Sequence, residues 1–273
     1  MRRLLTPLRL MAAALCFALF GLGGLLFYFP FGPWLWLRYR DPVRRREAAR
    51  VIVAYWFSFF CRVLSILQLV EIELRNAEAL TRPGLLICPN HPSLIDVVCL
   101  LAHLPRATTL VKADLKKSLF TRAPIRFAGY LDNAMGAEVL EAARTELARG
   151  QSLVIFPEGT RTPVNASAPK RLNRGVAALA LSTGTPVTPV RISASPRWLT
   201  KEVPWMRLPP RAMTLTVEVL PDIPVEGLLD RYNGRISLAA RALTRTIGEA
   251  LFGPSFHPRL QEKDRHAGPQ ARD

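Results

Sequence analysis

The chain divides by the spacing of its apolar residues. From Leu10 to Leu37 no residue is charged, and Leu10 to Phe29 alone would span about 30 Å as a helix, enough to cross the hydrocarbon of a bilayer. Pro30 and Pro33 break this run, and Trp34 and Trp36 suit a bilayer interface. A second apolar stretch, Val51 to Val70, carries a single charge, Arg62, and reads as a re-entrant or interfacial helix.

Beyond residue 70 the apolar runs shorten and are punctuated by turn residues. Ile72 to Leu74, Leu85 to Cys88, Thr108 to Lys112, Leu153 to Phe156 and Val187 to Ile192 read as strands. Met213 to Val219 alternates with period two, as a half-exposed strand nearer a sheet edge would. Between them, helical spacing covers Ser93 to His103, Met135 to Arg149 and Arg174 to Ser182, and Ile236, Ala240, Leu243, Ile247 and Leu251 mark a closing helix. Pro92 suits the first helical position of the Ser93 helix, and Gly150 is a stop signal for the Met135 helix. The alternation predicts an α/β fold: a single domain with a mixed, largely parallel sheet flanked by helices, preceded by an N-terminal membrane helical region. Its divisions fall at 1–70 for the anchoring helices, 71–252 for the α/β domain and 253–273 for a polar, Pro- and Gly-containing disordered tail. No internal repeat is present.

Charge changes the picture in one respect. The 273 residues are 49% hydrophobic and carry a net charge of +16, which implies an anionic partner surface. The cations cluster beside apolar segments and no nucleic-acid module is legible, so anionic membrane lipids are the partner and nucleic acid is not. If Leu10 to Phe29 crosses, Arg38, Arg40, Arg44, Arg45, Arg46 and Arg50 outweigh Arg2, Arg3 and Arg9, which puts the rest of the chain in the cytoplasm. Ala12-Ala13-Ala14 stands at the start of the apolar run instead of after it, against a cleaved signal peptide. The four cysteines, irregularly spaced, read as reduced thiols.

The candidate chemistry sits where strand-like runs end. Asn90-His91-Pro92-Ser93-Leu94-Ile95-Asp96 follows the Leu85 run and places His91 at the mouth of a strand-to-helix turn, with Asp96 about one and a half turns into the helix. A carboxylate there can fix the imidazole tautomer and leave the other ring nitrogen to take a proton from a hydroxyl. His103, His257 and His266 have no Asp at that spacing. Cys88-x2-His91 and Cys99-x3-His103 have zinc-like spacing, but both cysteines lie in apolar runs where a free Cys is a small core residue, so no metal is assigned. No Gly-x-Ser-x-Gly occurs, which removes a serine nucleophile elbow. Phe156-Pro157-Glu158-Gly159-Thr160-Arg161 forms a polar turn at the end of another strand. Gly159 permits a tight backbone, and Arg161 suits a phosphate or carboxylate unless the turn is simply a surface turn with a local ion pair.

Taken together, Asn90-His91-x4-Asp96 and Phe156-Pro157-Glu158-Gly159-Thr160-Arg161 resemble the first and third blocks of the 1-acylglycerol-3-phosphate acyltransferase (lysophosphatidic acid acyltransferase) or glycerolipid acyltransferase family, in the usual order. The resemblance runs over about residues 70 to 195. It implies that His91 is the general base and Asp96 its partner, that Glu158, Gly159, Thr160 and Arg161 hold a lyso-lipid acceptor, and that acyl-CoA or acyl carrier protein donates the acyl group without a covalent enzyme intermediate or bound cofactor. Val187-Thr188-Pro189-Val190 resembles the fourth block, with Pro189 a further candidate. Lys112 and Leu115 resemble the stretch before the second block, which Gly129-Tyr130-Leu131-Asp132-Asn133 occupies.

Two positions depart from the family pattern. Asn133 stands where the family usually has Arg, and Asn173, just before the candidate Arg174, stands where it usually has Lys. Each exchange removes a charge-assisted contact of about 1.5 to 3 kcal/mol to an acceptor phosphate. The expected acceptor is therefore 1-acylglycerol-3-phosphate, with Lys170, Arg171 and Arg174 as substitute cations, or a less anionic hydroxyl such as that of lyso-ornithine lipid. A membrane lipid-binding protein without turnover is the reading from another class. Residues 193–212, rich in Trp, Arg and Pro, read as a surface loop or one seated at lipid headgroups. Lys116, Lys117, Arg122 and Arg126 around Phe120 pose the same choice, with docking of an acidic carrier protein as a third.

Overall fold

The computed structural model describes residues 2–132, 137–162, 171–254 and 256. Three helices come first: α1 (Arg2–Leu26), α2 (Phe31–Arg38) and α3 (Pro42–Ile66). There follow β1 (Val70–Arg75), β2 (Leu86–Pro89), α4 (Asp96–Leu101), β3 (Ala107–Val111), α5 (Leu119–Ala128), β4 (Leu131–Asp132), α6 (Ala137–Ala148) and β5 (Ser152–Val154). The chain closes with α7 (Gly175–Thr183), β6 (Val187–Ser195), β7 (Met213–Val219), α8 (Leu228–Arg231) and α9 (Ile236–Phe252).

The strands form one seven-stranded sheet in the order β1-β7-β6-β2-β5-β3-β4. Every neighbouring pair is parallel except β6 and β7, so the sheet is mixed and largely parallel, as the alternating pattern predicts. β2 lies at the centre, where Leu86 pairs with both Val187 and Leu153. Its residues are buried on both faces, which is why the run is continuously apolar. Leu86, Cys88 and Leu153 pack with α7 and α9 on one face, while Ile87 and Val154 pack with α3 and α4 on the other. β7, second from the edge, alternates buried and partly exposed residues, in line with its period-two sequence.

The N-terminal helices share the core of the sheet. Ala13 and Cys16 of α1 and Phe60, Cys61 and Leu64 of α3 are buried in the same cluster as Ile87 and Val217. Gly24 permits this closeness at one point, because a Cβ there would lie 1.6 Å from the Phe120 carbonyl oxygen. The opposite faces leave Met11, Leu15, Leu22, Phe29, Trp36 and Leu37 exposed. By length and composition Pro7–Arg38 and Pro42–Ile66 are long and apolar enough to cross a membrane. The sequence pattern has Pro33 break the helix; instead it sits in the first turn of α2, where its missing N–H has no intrahelical partner to lose.

Other boundaries shift as well. The helix after β2 starts at Asp96 and not at Ser93, and Pro92 lies outside it, because the Asp96 carboxylate accepts the Ser93 N–H at 2.7 Å and holds residues 91–95 in a turn. β5 stops at Val154, two residues before the apolar run does. Residues 198–200 are buried, not a surface loop: Trp198 is 1% exposed and closes over the core that α1 and α4 share. Phe256, in the segment expected to be a tail, is buried and stacks on Phe252. Asn133, Lys170 and residues 257–273 lie outside the described residues.

One buried ion pair ties α3 to the rest. Arg50, 2% exposed, donates from Nη1 to Glu146 Oε2 at 2.6 Å and to Gln151 Oε1 at 3.2 Å, and from Nε to the Ala128 carbonyl at 2.9 Å. Removing one member of such a pair strands the other in low dielectric. Arg50→Met leaves Glu146 with Arg149 at 3.9 Å; it is expected to lower stability by about 3 to 5 kcal/mol, and Arg50→Met with Glu146→Leu to recover most of the loss. Chemical denaturation in detergent measures both, and a double variant no more stable than the single one would contradict the assignment.

Candidate active site

Parallel pairing brings the ends of β2 and β5 to one edge of the sheet, and the polar turns that follow them meet there. Asn90 fixes the first turn: its side-chain amide donates to the Ile192 carbonyl at 2.8 Å and accepts the Ile192 N–H at 2.6 Å, extending the β2–β6 pairing by a side chain. Pro189 is buried in β6 beside Cys88.

His91 Nδ1 lies 3.0 Å from Asp96 Oδ2. The Asp96 side chain is fully buried and that of His91 18% exposed, so the pair has one covered member and one that opens outward. Oδ2 also accepts the Ser93 N–H, and this fixes the carboxylate before the imidazole is considered. The Phe156 ring, with its centroid 4.4 Å from that of His91, limits the imidazole from another side. A carboxylate on Nδ1 favours the tautomer with hydrogen there, which leaves Nε2 as the proton acceptor.

The second turn is bonded directly to the first. Glu158 Oε1 accepts the His91 N–H at 2.8 Å and the Thr162 hydroxyl at 2.9 Å, while the Thr162 N–H donates to the His91 carbonyl at 2.7 Å. Gly159 has φ of +63°, and a Cβ on it would lie 2.8 Å from Asn173 Nδ2, so the turn demands glycine on both counts. The Asn173 N–H donates to the Pro157 carbonyl at 2.7 Å, which seats that departure from the family pattern against the turn. Arg161 points inward: its Nη1 donates to the carbonyls of Leu199 at 3.1 Å and Thr200 at 2.8 Å.

Of the residues singled out in the sequence, the structure thus brings together Asn90, His91, Asp96, Glu158, Gly159 and Arg161, with Thr160 half-buried in the same turn. Lys112 follows β3 and Arg174 precedes α7, both exposed. Ser93, Thr162 and the Leu199 and Thr200 carbonyls were not anticipated. Ser93-x-x-Asp96 does carry a legible signal, the spacing of a capping box in which a side chain reaches back to the backbone N–H three residues earlier. Among the described residues no three His, Cys, Asp or Glu side chains converge as a metal site. Cys88 is wholly buried and its thiol is pushed up by burial, which disfavours the thiolate a zinc ligand needs.

An apolar cavity of about 120 Å³ lies between α1, α3, α5 and the sheet. Val97 and Val98, next to Asp96, line it together with Trp56, Thr109, Phe120 and Tyr130.

The chain is similar to known proteins. A family model described as Acyltransferase matches residues 71–193, the span holding both turns and most of β6. A 1-acyl-sn-glycerol-3-phosphate acyltransferase of Pseudomonas aeruginosa is 24% identical over 211 residues, covering 75% of this chain and 79% of its own length. A lyso-ornithine lipid O-acyltransferase of the same organism is 29% identical over 170 residues, covering 59% of this chain and 60% of its own. The crystal structure of the 1-acyl-sn-glycerophosphate (LPA) acyltransferase PlsC from Thermotoga maritima superposes with a TM-score of 0.60 at 20% identity, covering 92% of this chain and 98% of its own, a likeness of fold. With the histidine and carboxylate of its first turn inside the matched span, the chain is an acyltransferase. Its similarity is to glycerolipid acyltransferases, the 1-acyl-sn-glycerol-3-phosphate acyltransferases among them.

Burial pushes the carboxyls of both Asp96 and Glu158 upward. For Asp96 the His91 hydrogen bond opposes burial; for Glu158 the His91 N–H and the Thr162 hydroxyl do. Folding thus favours the protonated carboxyls, so their contribution to stability is present below the ordinary carboxylate range and is lost as pH rises through the raised values. Stability is expected to fall across that window in wild-type protein and to fall less steeply in Glu158→Gln, as read from melting temperatures at a series of pH values. An equally steep fall in Glu158→Gln would contradict this.

Proposed function

We propose that the protein transfers a fatty acyl group from a thioester, acyl-CoA or acyl carrier protein, to the hydroxyl of a lyso-lipid, foremost 1-acylglycerol-3-phosphate. The observation that carries the reading is the His91–Asp96 pair, with its carboxylate wholly buried and its imidazole partly open. His91 Nε2 takes the acceptor hydroxyl proton as the oxygen attacks the thioester carbonyl. The tetrahedral intermediate then expels the thiolate, which recovers the proton from the imidazolium. Asp96 fixes the tautomer and stabilises the imidazolium. No acyl-enzyme and no bound cofactor takes part. The Glu158–Arg161 turn borders the acceptor with Arg174 beyond it, Asn90 and Pro189 hold the strand ends, and Lys112 offers a cation at the end of β3. The apolar cavity next to Asp96 takes hydrocarbon of an acyl chain.

A second acceptor has specific support. Asn173 lies against Gly159, where the family pattern has a cation, and a relative at 29% identity is named for acylating lyso-ornithine lipid. Residues 1–70 serve as the anchor, 71–252 as the catalytic part and 253–273 as a tail. Because one face of α1 is buried in the core of the sheet, the helices lie against the domain and dip into the anionic cytoplasmic leaflet with Trp36 and Leu37 outward. Arg45 stacks on Trp36 at 4.9 Å, a cation poised for headgroups.

Purified protein offered both donors and both acceptors tests the chemistry. His91→Ala is expected to lose about 10²- to 10⁴-fold in kcat, and Asp96→Asn to lose kcat with KM little changed. Undiminished transfer by His91→Ala would refute the assignment, and transfer to lyso-ornithine lipid alone would select the second acceptor. For the anchor, tags at both termini are expected to be cut by protease from the cytoplasmic side; an N-terminal tag cut only from the opposite side would show that α1 crosses.

A further inference from the structure

Three successive carbonyls, those of Trp198, Leu199 and Thr200, receive donors from both catalytic turns. Ser93 Oγ donates to the Trp198 carbonyl at 3.3 Å and the Leu94 N–H to that of Leu199 at 2.9 Å. Arg161 Nη1 joins from the other turn, donating to Leu199 and Thr200. The Leu199 oxygen therefore accepts from both turns at once. The segment has no freedom to be displaced cheaply: Trp198, Leu199 and Thr200 are 1%, 4% and 5% exposed. Leu199 holds φ of 55°, in the left-handed region that a leucine adopts only when its surroundings impose it. Behind it, Trp198 Nε1 donates to the Trp205 carbonyl at 3.0 Å, and the Trp205 ring meets Phe17 of α1 at 5.1 Å.

A guanidinium nitrogen shared between two backbone carbonyls is set by geometry and not by charge alone, and an ammonium does not reproduce its planar fork. The face of Arg161 that the structure commits is turned to the 198–200 backbone. Its charge still lies near enough to Asp96 to draw that carboxyl downward against burial, which marks how close the clamp stands to the pair.

We propose that Trp198–Thr200 is a third wall of the active site and that Arg161 is a positioning residue, which locks this wall so that it holds Ser93 and Leu94 and, through them, the turn bearing His91 and Asp96. Its kinetic consequences rest on the His91-dependent acyl transfer proposed above. Arg161 then acts on the chemical step and not on acceptor affinity.

Arg161→Gln, Arg161→Lys and Trp198→Phe, compared with wild type, test this in two ways. Trp198→Phe keeps a ring and removes the Nε1 hydrogen bond together with part of the buried ring volume, and it remains informative if Arg161→Gln does not fold. In steady-state assays with lysophosphatidate, Arg161→Gln is expected to lower kcat about a hundredfold and Trp198→Phe about tenfold, each with KM within about twofold of wild type. Arg161→Lys restores only part of the loss. A raised acceptor KM with kcat kept in Arg161→Gln, or a wild-type kcat in Trp198→Phe, would overturn the proposal. Hydrogen–deuterium exchange on the same proteins does not depend on turnover. Faster exchange at Ser93 and Leu94 in Arg161→Lys and Trp198→Phe is expected, and unchanged exchange there overturns the clamp. Absence of His91-dependent transfer in wild type, with exchange altered as expected, would instead strike the functional reading and leave the wall standing.

Discussion

The buried carboxylate of Asp96 is the constraint from which the site follows. A carboxylate with no exposed surface is expensive to keep ionised, and the chain offsets that cost with the Ser93 N–H at 2.7 Å and the His91 ring at 3.0 Å. Because the backbone donor comes from the turn itself, the same contact that holds Asp96 Oδ2 also delays the helix to residue 96. The imidazole is then held by a group that cannot move without breaking the turn. This is preorganisation by local folding: the orientation of the imidazole is settled when the strand-to-helix connection forms.

Around that contact, backbone bonds and not long side chains join the pieces. His91 gives its N–H to Glu158 and its carbonyl to Thr162, so the base and the second turn are spaced by two bonds on one residue. The sheet supplies the alignment, since β2 and β5 are adjacent and parallel and their ends coincide. The N-terminal helices are part of the same construction. They cover the face of the sheet that Ile87 and Val154 present, and with α5 they enclose the apolar cavity that adjoins Asp96 through Val97 and Val98. The exposed apolar faces and the apolar cavity are thus built by the same helices.

Much of this was legible in the sequence. Leu86 to Cys88 and Leu153 to Val154 are apolar without alternation because both faces of a central parallel strand are covered, and the turns after them hold His91 and Glu158 for the same topological reason. What could not be read there depends on contacts distant in sequence. Nothing local shows that Arg161 turns to carbonyls 38 and 39 residues away, or that Trp198 is buried, since a Trp among Arg and Pro looks the same in a surface loop. Helix boundaries failed where a side chain competed with the helix, as Asp96 does, and the apolarity of α1 does not show which of its faces the sheet will cover. Asn173 was noticed as a departure from a pattern; its seat against Gly159 comes only from the fold.

The central claim is that Asp96 fixes His91 with hydrogen on Nδ1 and leaves Nε2 free to accept a proton. Nitrogen-15 NMR of the His91 ring in detergent-solubilised protein, above the pH at which the imidazole titrates, measures this directly. The account predicts a protonated Nδ1 and a bare Nε2, with the preference lost in Asp96→Asn. A ring protonated on Nε2 in the wild-type protein would contradict it, since the nitrogen left to face the substrate could then donate but not accept.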